Sequence, residues 1–443
     1  MKNLFHQSRP TLLVVAIAFA GLVLPGSLRS VSAQSGLDTF DRENAKAMLN
    51  AAKEDIKKNY YDPTLRGLDI EAHFKEAEAK LKQATTRDQL VLIVAQTVLA
   101  LDDSHTSFVP PARAAEVRYG WEMKLVGDRT FIHAVKPKSD AEATGLKVGD
   151  EVLAVDGFRP TRNNIWKMYY RYYALSPARS IRLVVQSPSD TQSRELNVPS
   201  KIVRTANVTD WGKLFVQYLR ERRDITEDRF AEVGKDLFIW QMSTFSTSES
   251  HIDEMMGKAR NFKNLILDLR GNGGGYVKAM ERLAGYFFDR EVKIFDEKFR
   301  KETKTSKAKF RGADQFKGNL FVLVDSESAS ASELFARLIQ IEKRGQVIGD
   351  RSAGAVMVSR FFDHQSGVGS VLYFGTSVTV ADAVMTDGKS LEKVGVIPDV
   401  IMIPDGADLA AKRDPVLSHA AKLAGITLDP EKAGKLFPKE WRE

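Results

Sequence analysis

The chain has 443 residues, a net charge of +7, 43% hydrophobic and 28% charged residues, and no cysteine. This balance belongs to a folded protein of two or three domains, and the missing cysteine excludes a disulfide framework, a thiolate metal site and a cysteine nucleophile. The seven histidines form no HExxH pair and no Lys/Arg run is interleaved with aromatics, so neither a metal-bearing helix nor nucleic-acid binding is expected.

Residues 1–33 read as an export signal. Lys2 and Arg9 open them, Thr11 to Leu24 is almost wholly apolar, and Val31-Ser32-Ala33 precedes Gln34 with small residues. The apolar run is about 14 residues, shorter than the ~20 a spanning helix needs, so cleavage is expected over anchoring. Loss of Lys2, Arg9 and Arg29 leaves a chain of charge +4 in place of +7. A secreted chain without cysteine points to the periplasm or exterior of a bacterial envelope, with no stable membrane span after cleavage.

Residues 34–112 predict a helical region, with apolar positions at helical spacing through Ala45, Met48, Leu49, Ala52 and Ile56, and again through Leu90, Ile93, Val94, Thr97, Val98 and Leu101. Residues 113–203 change to short β-type runs, such as Arg129–Val135, Glu151–Val155 and Ile181–Val185, divided by glycine turns. A near-helical aromatic cluster, Trp166, Tyr169, Tyr170, Tyr172 and Tyr173, reads as core or interface packing. Residues 204–405 alternate strands (Asp236–Gln241, Asn264–Leu269, Asn319–Val324, Gln346–Ile348, Gly369–Phe374) with helices over 276–287 and 330–343, the pattern of an α/β layer. The tail, 406–443, carries one more helix near Pro415–Ala424.

Two turns carry the chemistry. In Asp268-Leu269-Arg270-Gly271-Asn272-Gly273-Gly274-Gly275 a buried strand runs into four glycines and then a helix. Backbone amides there can approach a bound atom closely, and a helix N-terminus favours negative charge. A plain tight turn is the competing reading. In Ser326-Glu327-Ser328-Ala329-Ser330-Ala331-Ser332-Glu333 a strand again meets a helix, now with four serines. Ser330 with Glu333 fits a capping box; it equally fits a nucleophile whose oxyanion would meet the Ala331 amide.

The stretch from Ala141 to Gly157, ATGLKVGDEVLAVDG in its core, resembles the PDZ domain. That resemblance implies capture of a partner's C-terminal tail as an added strand, with a carboxylate loop near Tyr119-Gly120-Trp121. The DLRGNGG turn followed by SASASE, after a PDZ-like segment and a helical prelude, resembles the carboxyl-terminal processing (tail-specific) serine proteases over essentially the whole mature chain. The implied fold is multidomain α/β: an N-terminal helical region, a PDZ-like β-rich domain and a crotonase-like α/β protease core. The implied nucleophile is Ser330, with oxyanion donors from Ala331 and from Gly273 or Gly274. No cofactor or metal is implied. The partner would be a polypeptide with an exposed C-terminal tail, and an oligomer is compatible with the sequence.

One departure stands out. The best-known members place a lysine base 25 residues beyond the serine, where this chain has Ala355. Asp103-Ser104-His105-Thr106 instead resembles the Ser-His pair of the tricorn branch, and Glu392, beside Gly395-Val396-Ile397-Pro398-Asp399, matches that branch's assisting glutamate. The implied set is Ser330 as nucleophile and His105 as base, with Ser104 and Glu392 orienting the imidazole; a histidine titrates near operating pH, as a base should. Lys389 and Lys393 are alternative candidates near Glu392. A helix-end role for His105, a solvated role for Glu392, and surface positions for His73, His133, His251, His364 and His419 are the structural readings. The rival function is a non-catalytic peptide- or ligand-binding relative of the same fold. A third reading makes Ala355 an engineered knockout of a serine–lysine enzyme, restorable by Ala355→Lys.

Overall fold

The computed structural model describes residues 37–113, 115–204, 228–367 and 371–441; the expected signal segment and the start of the 204–405 region lie outside them. Helices α1 (Thr39–Asn59), α2 (Ile70–Gln83) and α3 (Arg87–Val98) begin where Asp38, Asp69 and Thr86 accept the N–H three residues on, which satisfies otherwise orphaned amides. Their apolar faces, including Met48, Leu49, Ile56, Phe74, Leu81, Val94 and Val98, bury together with Phe108 and Val378. After α3, Asp102 turns the chain at φ +51° and β1 (Ser107–Val109) enters a sheet. The segment 103–106 is thereby wedged between the helices and that sheet.

Next come β2 (Ala115–Arg118), β3 (Trp121–Val126), β4 (Arg129–Val135), the short α4 (Asp140–Ala143), β5 (Glu151–Val155), α5 (Ile165–Tyr169), β6 (Ser180–Gln186), β7 (Arg194–Pro199) and β8 (Lys201–Arg204). Strands β3 to β7 form an antiparallel sheet in sequence order, and β2 pairs with β8 beside it. This sheet has its own core of Trp121, Ile132, Leu146, Val152, Leu183, Val185 and Val198. The aromatic cluster joins two cores: Tyr170 buries among the helices and Tyr172 against the sheet.

The rest comprises β9 (Arg229–Val233), β10 (Leu237–Gln241), α6 (Glu249–Ala259), β11 (Asn264–Asp268), α7 (Val277–Ala284), β12 (Val292–Phe299), β13 (Thr303–Ala308), β14 (Asn319–Val324), α8 (Ala331–Ile341), β15 (Gln346–Gly349), β16 (Val358–Ser366), β17 (Leu372–Met385), β18 (Val400–Ile401), α9 (Gly406–Ala410), α10 (Pro415–Leu423) and α11 (Pro430–Ala433). Six strands line up as β18-β15-β14-β11-β10-β9, parallel except β9. Helices α6, α7 and α8 cover one face and α10 the other, so its central strands read as unbroken apolar runs. A second, antiparallel sheet joins β1, β17, β12 and β13, with β16 along β17. The sequence reading stopped the last strand at Phe374, whereas β17 continues to Met385; it also missed β12, β13 and β16. Residues of β13 (TKTSKA) are mostly exposed, so the hydrophobic pattern carried little signal.

Candidate active site

The parallel sheet brings both turns to the carboxyl ends of adjacent strands. Strand β11 ends at Asp268 and β14 at Val324, and these strands pair in register. The glycine turn packs directly on the serine turn: a Cβ on Gly274, which has φ +94°, would lie 2.6 Å from Ser330 Cβ. Only glycine fits there. Asn272, fully buried, stitches the two turns together. Its side chain accepts from Gly274 N–H at 2.9 Å and donates to Met242 O at 2.9 Å, while its carbonyl accepts Ala329 N–H at 3.0 Å and Ser332 Oγ–H at 2.9 Å. The Gly274 amide is thus engaged within the turn, and Gly273 lines the cavity beside it.

Ser330 sits just before α8 with φ +57° and ψ −121°. Non-glycine residues rarely adopt this backbone, at a cost of ~1–3 kcal/mol, and it persists only when the surroundings enforce it. Here Ser330 N–H donates to Ala355 O at 2.8 Å and to Glu333 Oε2 at 3.0 Å. Ala331, the first residue of α8, presents an N–H that no intrahelical carbonyl can reach.

Glu333 does more than cap. Its buried carboxylate also accepts from Ser352 Oγ at 2.6 Å, Gly354 N–H at 2.7 Å and Ala355 N–H at 2.9 Å. One carboxylate therefore ties the loop 352–355 to the serine turn. Burial pushes its pKa up to about 7, against these donated bonds, which favour the anion. Sequence reasoning saw Glu333 only as a capping partner; its place inside the serine string was the available clue.

The opposite wall is assembled from remote segments. Asp103 accepts the N–H groups of His105 (2.9 Å) and Thr106 (2.7 Å) and the Thr379 hydroxyl of β17 (2.7 Å), which fixes the 103–106 turn. Ser104 N–H and Oγ–H both meet Glu392, at 2.8 Å each, and Ser104 Oγ lies 2.6 Å from His105 Nδ1. Val356 N–H adds a third donor to Glu392 at 3.2 Å. Burial raises the Glu392 pKa, and the bonds from Ser104 and Val356 oppose that rise. With Glu392 ionised, the Ser104 hydrogen is committed to the carboxylate. Ser104 Oγ then accepts from His105 Nδ1–H, and the lone pair falls on Nε2.

Ser104, His105, Gly273, Gly274, Ser330, Ala355 and Glu392 all line one cavity of about 2760 Å³. The lysines fare differently. Lys393 is paired with Asp102, Lys389 does not line this cavity, and Lys124 is held between Asp325 and Glu327. Despite burial, those two carboxylates keep the Lys124 ammonium above the usual lysine range. Position 355 holds no amine. Four of the remaining histidines are half-buried and partnered: His73 with Thr97 O, His133 with Glu122, His251 with Asp228 and His364 with Asp55. Among the described residues no group of three histidines and carboxylates converges on a metal position.

Comparison with known proteins adds an independent line. Residues 237–402 match the model of peptidase family S41, and residues 41–98 match the tricorn protease C1 domain. The chain is similar to the chloroplastic C-terminal processing peptidase of Tetradesmus obliquus, 24% identical and covering 79% of this chain and 75% of that one. It is 25% identical to the carboxyl-terminal-processing protease of a Picosynechococcus strain, covering 72% and 74%. The fold resembles that of mature CPAF complexed with lactacystin, with a TM-score of 0.63 at 15% identity, covering 87% of this chain and 98% of that one.

Proposed function

We propose that this chain, whose residues 237–402 match the model of peptidase family S41, is a serine peptidase in which Ser330 is the nucleophile and His105 replaces the usual lysine as base. The observation that carries this reading is the Glu392–Ser104–His105 relay, which directs the imidazole lone pair to Nε2 on a cavity wall shared with Ser330. Ala355, which cannot accept a proton on its side chain, is compatible with it, as is the engagement of Lys393 and Lys124 by carboxylates.

His105 Nε2 takes the Ser330 hydroxyl proton as Oγ attacks a peptide carbonyl. The Ala331 and Gly273 amides stabilise the oxyanion, and they act strongly because they are fixed before charge develops. The imidazolium then protonates the departing amine, and the acyl-enzyme is hydrolysed by a water that His105 deprotonates. Residues 113–203 act as a PDZ-like unit that docks the substrate's C-terminal tail. The motif supporting it is α4, Gly145 at φ +84°, β5 and Asp156-Gly157 in succession. Residues 1–33 export the protein to the bacterial periplasm or beyond and are then removed.

The test is chemical. A fluorophosphonate probe should label the wild type at residue 330, and Ser330→Ala should abolish labelling and nearly all proteolysis. His105→Ala, still folded by circular dichroism, should lose ~10³-fold or more in turnover. Near-normal turnover in His105→Ala would overturn the histidine assignment.

A further inference from the structure

The last described residues of the chain enter the cavity that holds Ser330. Leu436 and Phe437 still pack on the apolar cluster under the parallel sheet. Beyond them the chain leaves that cluster. Arg229, at the start of β9, donates to Pro438 O at 2.5 Å and to Phe437 O at 3.3 Å, and its guanidinium lies 5.5 Å from the Phe437 ring centre. Lys439 then reaches β3 of the middle sheet, where its ammonium meets Glu122 Oε1 at 2.8 Å. It also lies 5.3 Å from the Trp441 ring centre. Lys439 and Trp441 line the cavity together with Gly120, Trp121, Glu122 and Arg229.

Glu122 is built to receive a cation. Its second oxygen faces His133 Nε2 at 3.2 Å, and its side chain is only 20% exposed. Burial works against the carboxylate, yet His133 and Lys439 hold its pKa well below the usual range. A partly buried carboxylate on a cavity wall needs a positive partner, and here the chain supplies one from its own tail. Glu122 neighbours Gly120 and Trp121, the loop expected to meet an incoming C-terminal tail.

We propose that residues 437–441 are a resident competitor of the polypeptide substrate, seated in cis by the Lys439–Glu122 ion pair, and that Glu122 thereby selects a basic side chain in the incoming tail. This rests on the reading of the cavity as a polypeptide site. A substrate engages by displacing the chain's own tail, so releasing that tail lowers KM more than it changes kcat. Because the occupant is tethered, its local concentration is high and even a weak ion pair suffices to hold it.

The experiment measures binding, not turnover. Fluorescein-labelled peptides copying residues 434–443, with lysine or glutamate at the position of Lys439, are titrated by anisotropy into Ser330→Ala protein with and without Lys439→Glu. The lysine peptide is expected to bind the Lys439→Glu protein at least ~5-fold tighter than the glutamate peptide, and ~5-fold tighter than it binds protein with the tail intact. Adding Glu122→Lys should reverse the preference between peptides, and Glu122→Gln, a milder change, should erase it. Equal binding of the two peptides, or binding indifferent to Lys439→Glu, would overturn the proposal. Failure of the peptidase reading would appear separately, as absent fluorophosphonate labelling of the wild type.

Discussion

On one wall of the cavity, Ser330 and its glycine turn hang from neighbouring parallel strands and are stitched by Asn272 and Glu333. On the other, His105 depends on a contact spanning 288 residues of sequence, from Ser104 to Glu392, and on Asp103 reaching β17. The first wall is built where two neighbouring strands end and the loop 352–355 closes on them. The second exists only once the helical region has packed on the antiparallel sheet. In the proposed mechanism the nucleophile's strained backbone is held by the turns and the loop packed around it, whereas the base needs only orientation, which segments remote in sequence supply.

That contrast can be broken from either side. The largest effect is expected from Gly274→Ala, whose Cβ would meet Ser330 Cβ at 2.6 Å on a backbone with φ +94°. Turnover should fall by ~10³-fold because the oxyanion donors and the nucleophile are displaced together. Steady-state kinetics and the rate of fluorophosphonate labelling check this, and both should drop in parallel.

Breaking the remote wall should cost less. Ser104→Ala should reduce kcat by ~10²-fold with KM little changed, because the imidazole loses its orientation but keeps its basicity. Glu392→Gln should share part of that loss. As pH falls and Glu392 protonates, Ser104 is freed to donate to His105 Nδ1 and the proton moves to Nε2, so activity should drop on the acid side. In Glu392→Gln that limb should lose one titrating group, which a pH–rate profile reads directly.

Glu333→Gln sharpens the account of the near wall. An amide offers one acceptor oxygen where four donors converge, so at least one N–H loses its partner, and kcat should fall ~10-fold or more. Its effect on stability is pH-dependent with a definite sign. The folded pKa of about 7 lies above the usual glutamate value, so the carboxylate is favoured by unfolding. The wild type's stability relative to Glu333→Gln should therefore decline as pH rises from about 4.5 through 7, by up to ~3 kcal/mol. Urea titrations at several pH values measure this.

The smallest effect on catalysis is expected at the anchor of the C-terminal helix. Arg270 bridges Asp268 and Asp414, the cap of α10, at 2.7–3.0 Å. Asp414→Asn should lower stability by ~1–3 kcal/mol while leaving turnover of the folded fraction within ~2-fold, measured by thermal unfolding and kinetics together.

Much of the fold could be read in advance where burial was one-sided or complete. The helices at Met48–Ile56 and Leu90–Val98 showed a periodic pattern because one face meets a core, and the strands Leu265–Leu267 and Leu320–Val324 showed unbroken apolar runs because both faces are buried. Strand β13 escaped notice because it is largely exposed, and β16 because its residues are half-buried or exposed with no fully buried face. Within the site, Ser330, Gly273, Gly274, Ser104, His105 and Glu392 were all legible as motif residues. Glu333 as a four-donor hub was not, since three of its donors come from 352–355 and hydrogen bonding across that gap leaves no periodic trace.

By itself the sequence determined which residue types are available: a serine before a helix, glycines at a strand end, an alanine at position 355, and a histidine far upstream. It also determined the helical and strand segments that hydrophobic burial enforces. Only tertiary structure decided that Glu392 reaches Ser104, that Lys393 turns to Asp102 and that the chain's own tail meets Glu122. The physical reason is range. Propensity and patterning act over a few residues, whereas the pairing of buried charges is set by which surfaces the packed cores bring face to face.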